Sequence, residues 1–130
     1  MRDYHVLVAG PEQQSARVVQ RLRERGLSAW SDRIEDVFDD PVSLSWADVV
    51  VMIDGTPDFR FATSPTSMRC GRPRVLLASA PVSAADRIRL IELYDFDFVL
   101  AWPSHMDVIA AFIERSVHRA ALPARFRVEA

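Results

Sequence analysis

Few residues in this chain have the means to do chemistry, and most of them stand where an apolar run stops. Asp54 follows Asp48-Val49-Val50-Val51-Met52-Ile53 and opens the turn Asp54-Gly55-Thr56-Pro57. Ser79-Ala80 closes Arg74 to Ser79, Trp102-Pro103 follows Phe98-Val99-Leu100-Ala101, and Ala9-Gly10-Pro11 ends Val6 to Ala9, with Glu12 the first carboxylate beyond it. A carboxylate at such a position can act as a nucleophile, bind a cation or accept from its own turn, since Asp-Gly-x-Pro is ordinary turn chemistry. Ser79 can satisfy a strand-end backbone group, and Trp102 offers an indole N–H or simply packs. Cys70 lies in a Ser/Thr-rich stretch with only Arg69 and Arg72 to activate it, which describes an inert thiol. His105 opens the last helical stretch as a lone pH-sensitive group; His5 and His118 read as edge or surface residues.

What is absent narrows the chemistry further. All 16 basic residues are arginines, so Schiff-base, general-base and P-loop lysines are excluded. A net charge of −2 argues against binding nucleic acid by phosphate neutralisation. One cysteine excludes an internal disulfide and a multi-cysteine zinc site, and fits a reducing compartment. No apolar run approaches the roughly 20 residues of a membrane span, and Met1-Arg2-Asp3-Tyr4-His5 does not open a signal peptide. With 130 residues and 49% hydrophobic content, the expectation is one cytoplasmic domain over 1–120 and a loosely held tail over 121–130. On that reading the chain has no output domain of its own.

The elements that must position these residues alternate. Strands are expected at Val6–Ala9, Leu27–Trp30, Asp48–Ile53, Arg74–Ser79 and Phe98–Ala101, because strands buried on both faces read as unbroken apolar runs. Helices are expected from Glu12 to Arg25, with Ala16, Val18, Val19 and Leu22 inward and Gly26 beyond the end. A weak turn is expected over Ile34–Phe38, and any helix between Phe59 and Cys70 is short. Ser83-Ala84-Ala85-Asp86 has the form of a capping box, followed by Ile88, Ile91 and Tyr94 at helical spacing. Ser104 to Asp107 repeats that signature before Met106, Ile109, Ala110, Ile113 and Val117. The Arg21-Arg23-Arg25 set reads as a solvated helix face. Five strands with crossover helices imply an α/β three-layer sandwich, its five-stranded parallel sheet expected in order 2-1-3-4-5 with helices on both faces.

In such a sheet, ligands and chemistry collect at the carboxyl ends of the strands. The spacing of Asp54, Pro57, Ser79-Ala80 and Asp97 to Pro103 resembles that of the response-regulator receiver domain, from His5 to about His118, and the resemblance implies the chemotaxis-type flavodoxin-like fold. The resemblance implies that Asp54 is the phospho-acceptor candidate and that Ala9, Gly10, Pro11, Glu12, Thr56, Ser79 and Trp102 form its pocket. The departures make that pocket degenerate. The family's two adjacent acidic residues after the first strand are replaced by Ala9-Gly10-Pro11, its lysine by Trp102 and its aromatic switch residue by Val99. Asp54 alone, or with Glu12, is a poor magnesium cradle. Pro57 also lies three residues beyond Asp54 where the family usually shows four, which would put Ile53 at the acceptor position. No metal or cofactor is expected.

The resemblance further implies a partner, a histidine kinase or effector, or self-association through the fourth helix, fifth strand and fifth helix. Arg87, Arg89, Tyr94 and Asp97 are the interface candidates there, with Asp95, Glu114, Glu92 and Phe96 nearby. Val8-Ala9-Gly10-Pro11, Ala47 to Val51 and Asp54-Gly55-Thr56 also resemble nucleoside deoxyribosyltransferases, but the glutamate nucleophile that chemistry needs is missing between Glu35 and Glu92. A nucleotide-binding flavodoxin-like domain is the remaining alternative.

Overall fold

A computed structural model describes residues 5–33, 46–54, 56, 59–60, 63, 74–78, 82–94, 96–101 and 106–121. The chain runs β1 (His5–Ala9), α1 (Glu12–Glu24), β2 (Ser28–Asp32), β3 (Val49–Asp54), β4 (Arg74–Ala78), α2 (Ala84–Glu92), β5 (Phe98–Ala101) and α3 (Met106–Ala121). All neighbouring strands pair in parallel, in the order β2-β1-β3-β4-β5. This is the expected sheet. Ile34–Phe38, the stretch from Ser64 to Cys70 and the tail from Leu122 lie outside the described residues.

Both faces of the sheet are covered, which is why β3 and β4 are buried along their whole length. Val6, Val8, Val49, Val51, Ile53, Val75 and Leu77 face α1 and α3, which contribute Val18, Val19, Leu22, Ile109, Ala110 and Ile113. Alternation sends Leu7, Val50, Met52, Leu76 and Val99 to the other face, where Leu90 of α2 joins Phe59 and Phe96.

The caps follow the chemistry of their residues. Ser83 Oγ accepts from the Asp86 N–H at 3.1 Å. Gly26 takes φ +84°, and the Leu27 and Gly26 N–H groups donate to the Leu22 and Arg23 carbonyls, closing α1 in a Schellman motif.

Two expected helix faces need correction. In α1, Ser15 rather than Ala16 is buried with Val18, Val19 and Leu22. In α2, Ile88 and Ile91 are 57% and 39% exposed, and Leu90 alone is buried. Ile88, Ile91 and Tyr94 share the right period, but α2 lies over β5 at the sheet edge and is placed by Leu90. The arginine set is also more than a solvated face. Arg21 approaches Asp107 at 3.4 Å and Arg25 approaches Glu114 at 2.8 Å, tying α1 to α3. Arg23 Nε donates to the Ala29 carbonyl of edge strand β2 at 3.0 Å. At the other edge, Arg87 of α2 donates to the Val99 carbonyl of β5. Each edge strand thus has a carbonyl occupied by an arginine from the helix before it, which blunts an edge open to foreign pairing.

Two aspartates set the amino end of the sheet by one shared device. Asp48, just before β3, accepts from the His5 N–H at 2.9 Å, and its own N–H donates to the His5 carbonyl at 2.8 Å. Asp97, just before β5, does the same with Arg74 of β4, at 3.0 and 2.8 Å. Each carboxylate satisfies a strand-end donor that the ladder leaves open.

Candidate functional site

The carboxyl end of β3 carries the candidate site. Asp54 is the last residue of the strand, level with Ala78 of β4, and is completely buried. Its Oδ1 accepts from the Thr56 N–H at 2.9 Å and from Thr56 Oγ at 2.6 Å. Thr56 Oγ in turn accepts from the Arg60 N–H at 2.9 Å. The carboxylate therefore organises its own turn, as the Asp-Gly-x-Pro sequence allows.

Phe59 holds that turn down. It is 1% exposed in the core on the α2 face, at φ +54°. A bulky residue in the left-handed region is strained, and burial of the ring offsets the strain. Its carbonyl accepts from both the N–H and Oγ of Thr63 at 2.9 Å. Sequence reasoning missed Phe59, because the two aromatics of Asp58-Phe59-Arg60-Phe61 stand in too short an apolar pattern to show which of them enters the core.

The facing end of β1 has no carboxylate. Val8 pairs with Val51 and Ala9 with Met52, and the same register carries Gly10 to Ile53 and Pro11 to Asp54. Ala9 is fully buried, whereas Pro11 and Glu12 are exposed. A Cβ placed on Gly10 would stand 2.7 Å from Ile53 Cβ and 3.2 Å from its carbonyl oxygen, so the strand ends approach too closely for a side chain there. Glu12 occupies the first turn of α1, where a carboxylate complements the helix dipole. Among the described residues, no three His, Cys, Asp or Glu side chains gather as metal ligands. These residues do not fit the magnesium ion that receiver chemistry would call for. Ile53 packs in the core on the α1–α3 face, whereas Asp54 is the last residue of β3 and bonds Thr56 beyond it.

Ser79 and Trp102 lie outside the described residues, as do Gly55, Pro57, Cys70, Asp95 and His105. The interface candidates divide. Arg87 is engaged with the Val99 carbonyl and Asp97 with the Arg74 N–H. Tyr94 is half-buried against the α2-side core, and Arg89 is exposed. Glu114 turns to Arg25 of α1. An open groove of about 770 Å³ between α1 and β2, lined by Gln20, Arg23, Glu24, Trp30 and Ser31, includes none of these site residues.

The Asp54 turn makes a checkable statement. Asp54→Asn keeps an oxygen for Thr56 and should change stability little. Asp54→Ala leaves the Thr56 N–H without its acceptor and should cost about 1–3 kcal/mol. Urea unfolding of both variants separates the two.

No protein-family model matches this chain, and no curated protein matches it by sequence. Solved structures do match its fold. The signal receiver domain of a LuxO repressor-like protein from Vibrio parahaemolyticus superposes with TM-score 0.72 at 13% identity, covering 92% of this chain and 93% of that one. The non-phosphorylated HemR receiver domain from Leptospira biflexa gives 0.67 at 19% identity, over 94% and 97%. An orphan response regulator of H. pylori gives 0.68 at 17% identity, over 88% and 96%. The chain has the fold of receiver domains. Among its described helices, none is long and apolar enough to cross a membrane.

Proposed function

We propose that this chain is a degenerate receiver-like signalling module that acts in the cytoplasm by protein–protein contact, with little or no aspartyl phosphorylation and no catalytic activity of its own. The observation that carries the reading is the meeting of Gly10 with Ile53 at 2.7 Å from a would-be Cβ, beside an Asp54 already bound to Thr56. A phosphoaspartate adds roughly −1.5 to −2 charge, which receiver chemistry places against a metal ion and a lysine. Here the chain contains no lysine, and the end of β1 offers a glycine and a proline in place of carboxylates. Without that lysine and that acidic pair, product and transition state lose the counter-charges that receiver chemistry supplies, so phosphoryl transfer to Asp54 is disfavoured at both. The fold survives without that chemistry because its core does not depend on it.

What remains is surface. The partner is a signalling protein, a histidine kinase or an effector, or a second copy, met through the face of α2, β5 and α3. Nucleic acid and membrane surfaces are poor matches for a chain of net charge −2.

Magnesium binding tests the metal half of this reading. A ligand at a hundred times its dissociation constant stabilises the folded state by about 2.7 kcal/mol. The expected result is an unfolding midpoint unchanged between chelator and millimolar magnesium. A midpoint that climbs with magnesium concentration, and stops climbing in Asp54→Asn, would overturn it.

A further inference from the structure

Parity along β2 decides which of its main-chain groups face away from the sheet. The Gly10 N–H donates to the Asp32 carbonyl at 3.2 Å, so Asp32, and with it Trp30 and Ser28, turns its N–H and carbonyl toward β1. Ala29, Ser31 and Arg33 turn theirs outward, and two of those groups are already taken. Arg23 Nε donates to the Ala29 carbonyl at 3.0 Å, and the Arg33 N–H donates to Asp32 Oδ1 at 2.9 Å. Arg23 thus blunts only part of this edge. The Ala29 N–H and both main-chain groups of Ser31 remain, and among the described residues nothing bonds them. Ser31 is exposed, and the groove between α1 and β2 opens beside it.

A donor and an acceptor on one residue, with a second donor two residues earlier, is the pattern an antiparallel strand completes. The incoming residue opposite Ser31 exchanges both hydrogen bonds with it. The incoming residue opposite Ala29, two positions further on, accepts from the Ala29 N–H, but its own N–H would meet a carbonyl that Arg23 occupies. Proline there has no N–H to leave unpaired, and it holds the residue before it extended. Ala29 belongs to the core on the α1 side, and Ser31 shares its face of the sheet. Opposed side chains share a face, so the first incoming residue and the proline lie along α1, over Val19 and the exposed Ala16, and both are apolar. The residue between them stands beside Trp30, where a β-branched side chain pairs well with the indole. Glu24 is the carboxylate of the groove lining, at the Ala29 end, since its neighbour Arg23 reaches Ala29. A basic residue two positions beyond the proline complements it. We infer that the outer edge of β2 is a docking site for an extended segment of another protein, of the form apolar, β-branched, proline, any, basic, added antiparallel to the sheet. This edge is the opposite one from β5, so the inference goes beyond the contact face proposed above.

The probe is the synthetic peptide acetyl-Ser-Gly-Val-Thr-Pro-Ser-Lys-Gly-amide, titrated into the full chain and read from the amide resonances of the isotope-labelled protein. The expected result is saturable shifts at Ala29 and Ser31, with slowed hydrogen exchange of both amides. Methylating the peptide's valine nitrogen removes the donor to the Ser31 carbonyl and should weaken binding by about tenfold or more. Replacing the peptide's proline by alanine should weaken it by about tenfold, because the alanine N–H has no acceptor. In Arg23→Ala the Ala29 carbonyl is open, and the proline and alanine peptides should bind alike. That readout is a ratio of two peptides on one protein, so a loss of stability in the variant cannot imitate it. No saturable binding at millimolar peptide, shifts confined to residues outside α1 and β2, or a proline preference unchanged in Arg23→Ala would overturn the inference. A Ser31 amide already protected from exchange without peptide overturns it too. Protection independent of protein concentration would assign the edge to a segment of this chain, and protection that rises with concentration would assign it to a second copy. None of these outcomes bears on phosphorylation of Asp54, so the two readings fail separately.

Discussion

Leu90→Ala is expected to lower the free energy of unfolding by about 2–5 kcal/mol, the range for emptying a fully buried leucine position. Leu90 is 0% exposed and packs with Leu76, Phe96 and Val99 on the α2 face of the sheet. It is also the one buried residue of its helix. A nine-residue helix has marginal stability of its own, so losing this anchor should release α2 as a unit. Hydrogen exchange should then show α2 amides losing protection while β1 and β3 keep theirs. A loss spread evenly over the sheet, or a cost well under 1 kcal/mol, would show that α2 is held by something other than Leu90.

Gly10→Asp is the second large effect, and its direction separates two accounts of the site. The substitution returns an acidic residue to the position where a receiver would carry one. On geometry alone it should destabilise by about 1–3 kcal/mol, because the new Cβ overlaps Ile53 Cβ and crowds the Ile53 backbone. Ile53→Val should not relieve the strain, since valine keeps both the Cβ and the carbonyl. Magnesium should not recover the loss. A Gly10→Asp protein as stable as the parent, or one stabilised by magnesium, would mean that the ends of β1 and β3 can open to form a metal cradle.

The sheet was legible because of how buried parallel strands are written. Val49-Val50-Val51-Met52-Ile53 and Arg74 to Ala78 are covered on both faces, so nothing interrupts the apolar run, and their placement missed by a residue at most. β2 was harder: an edge strand with the burial pattern of Ser28–Asp32 looks like a loop, and its end was expected two residues early. Helix faces were less legible still. Ile88, Ile91 and Tyr94 obey the helical period, but period alone cannot say which of several stripes meets the sheet, and Leu90 took that place. The turn role of Asp54 was open in the sequence through Asp-Gly-x-Pro, whereas the matched roles of Asp48 and Asp97 were not. Those depend on strands 43 and 23 residues away arriving at the right register. The arginine contacts at both sheet edges likewise exist only once the helices are docked.

The central claim is that Asp54 serves structure and that signalling here proceeds without its phosphorylation. Incubation with acetyl phosphate and magnesium, followed by intact-mass measurement, tests it most directly. The account predicts a mass unchanged from the untreated chain, in the parent and in Asp54→Asn alike. Rapid, near-complete addition of one phosphate to the parent, absent from Asp54→Asn, would contradict it.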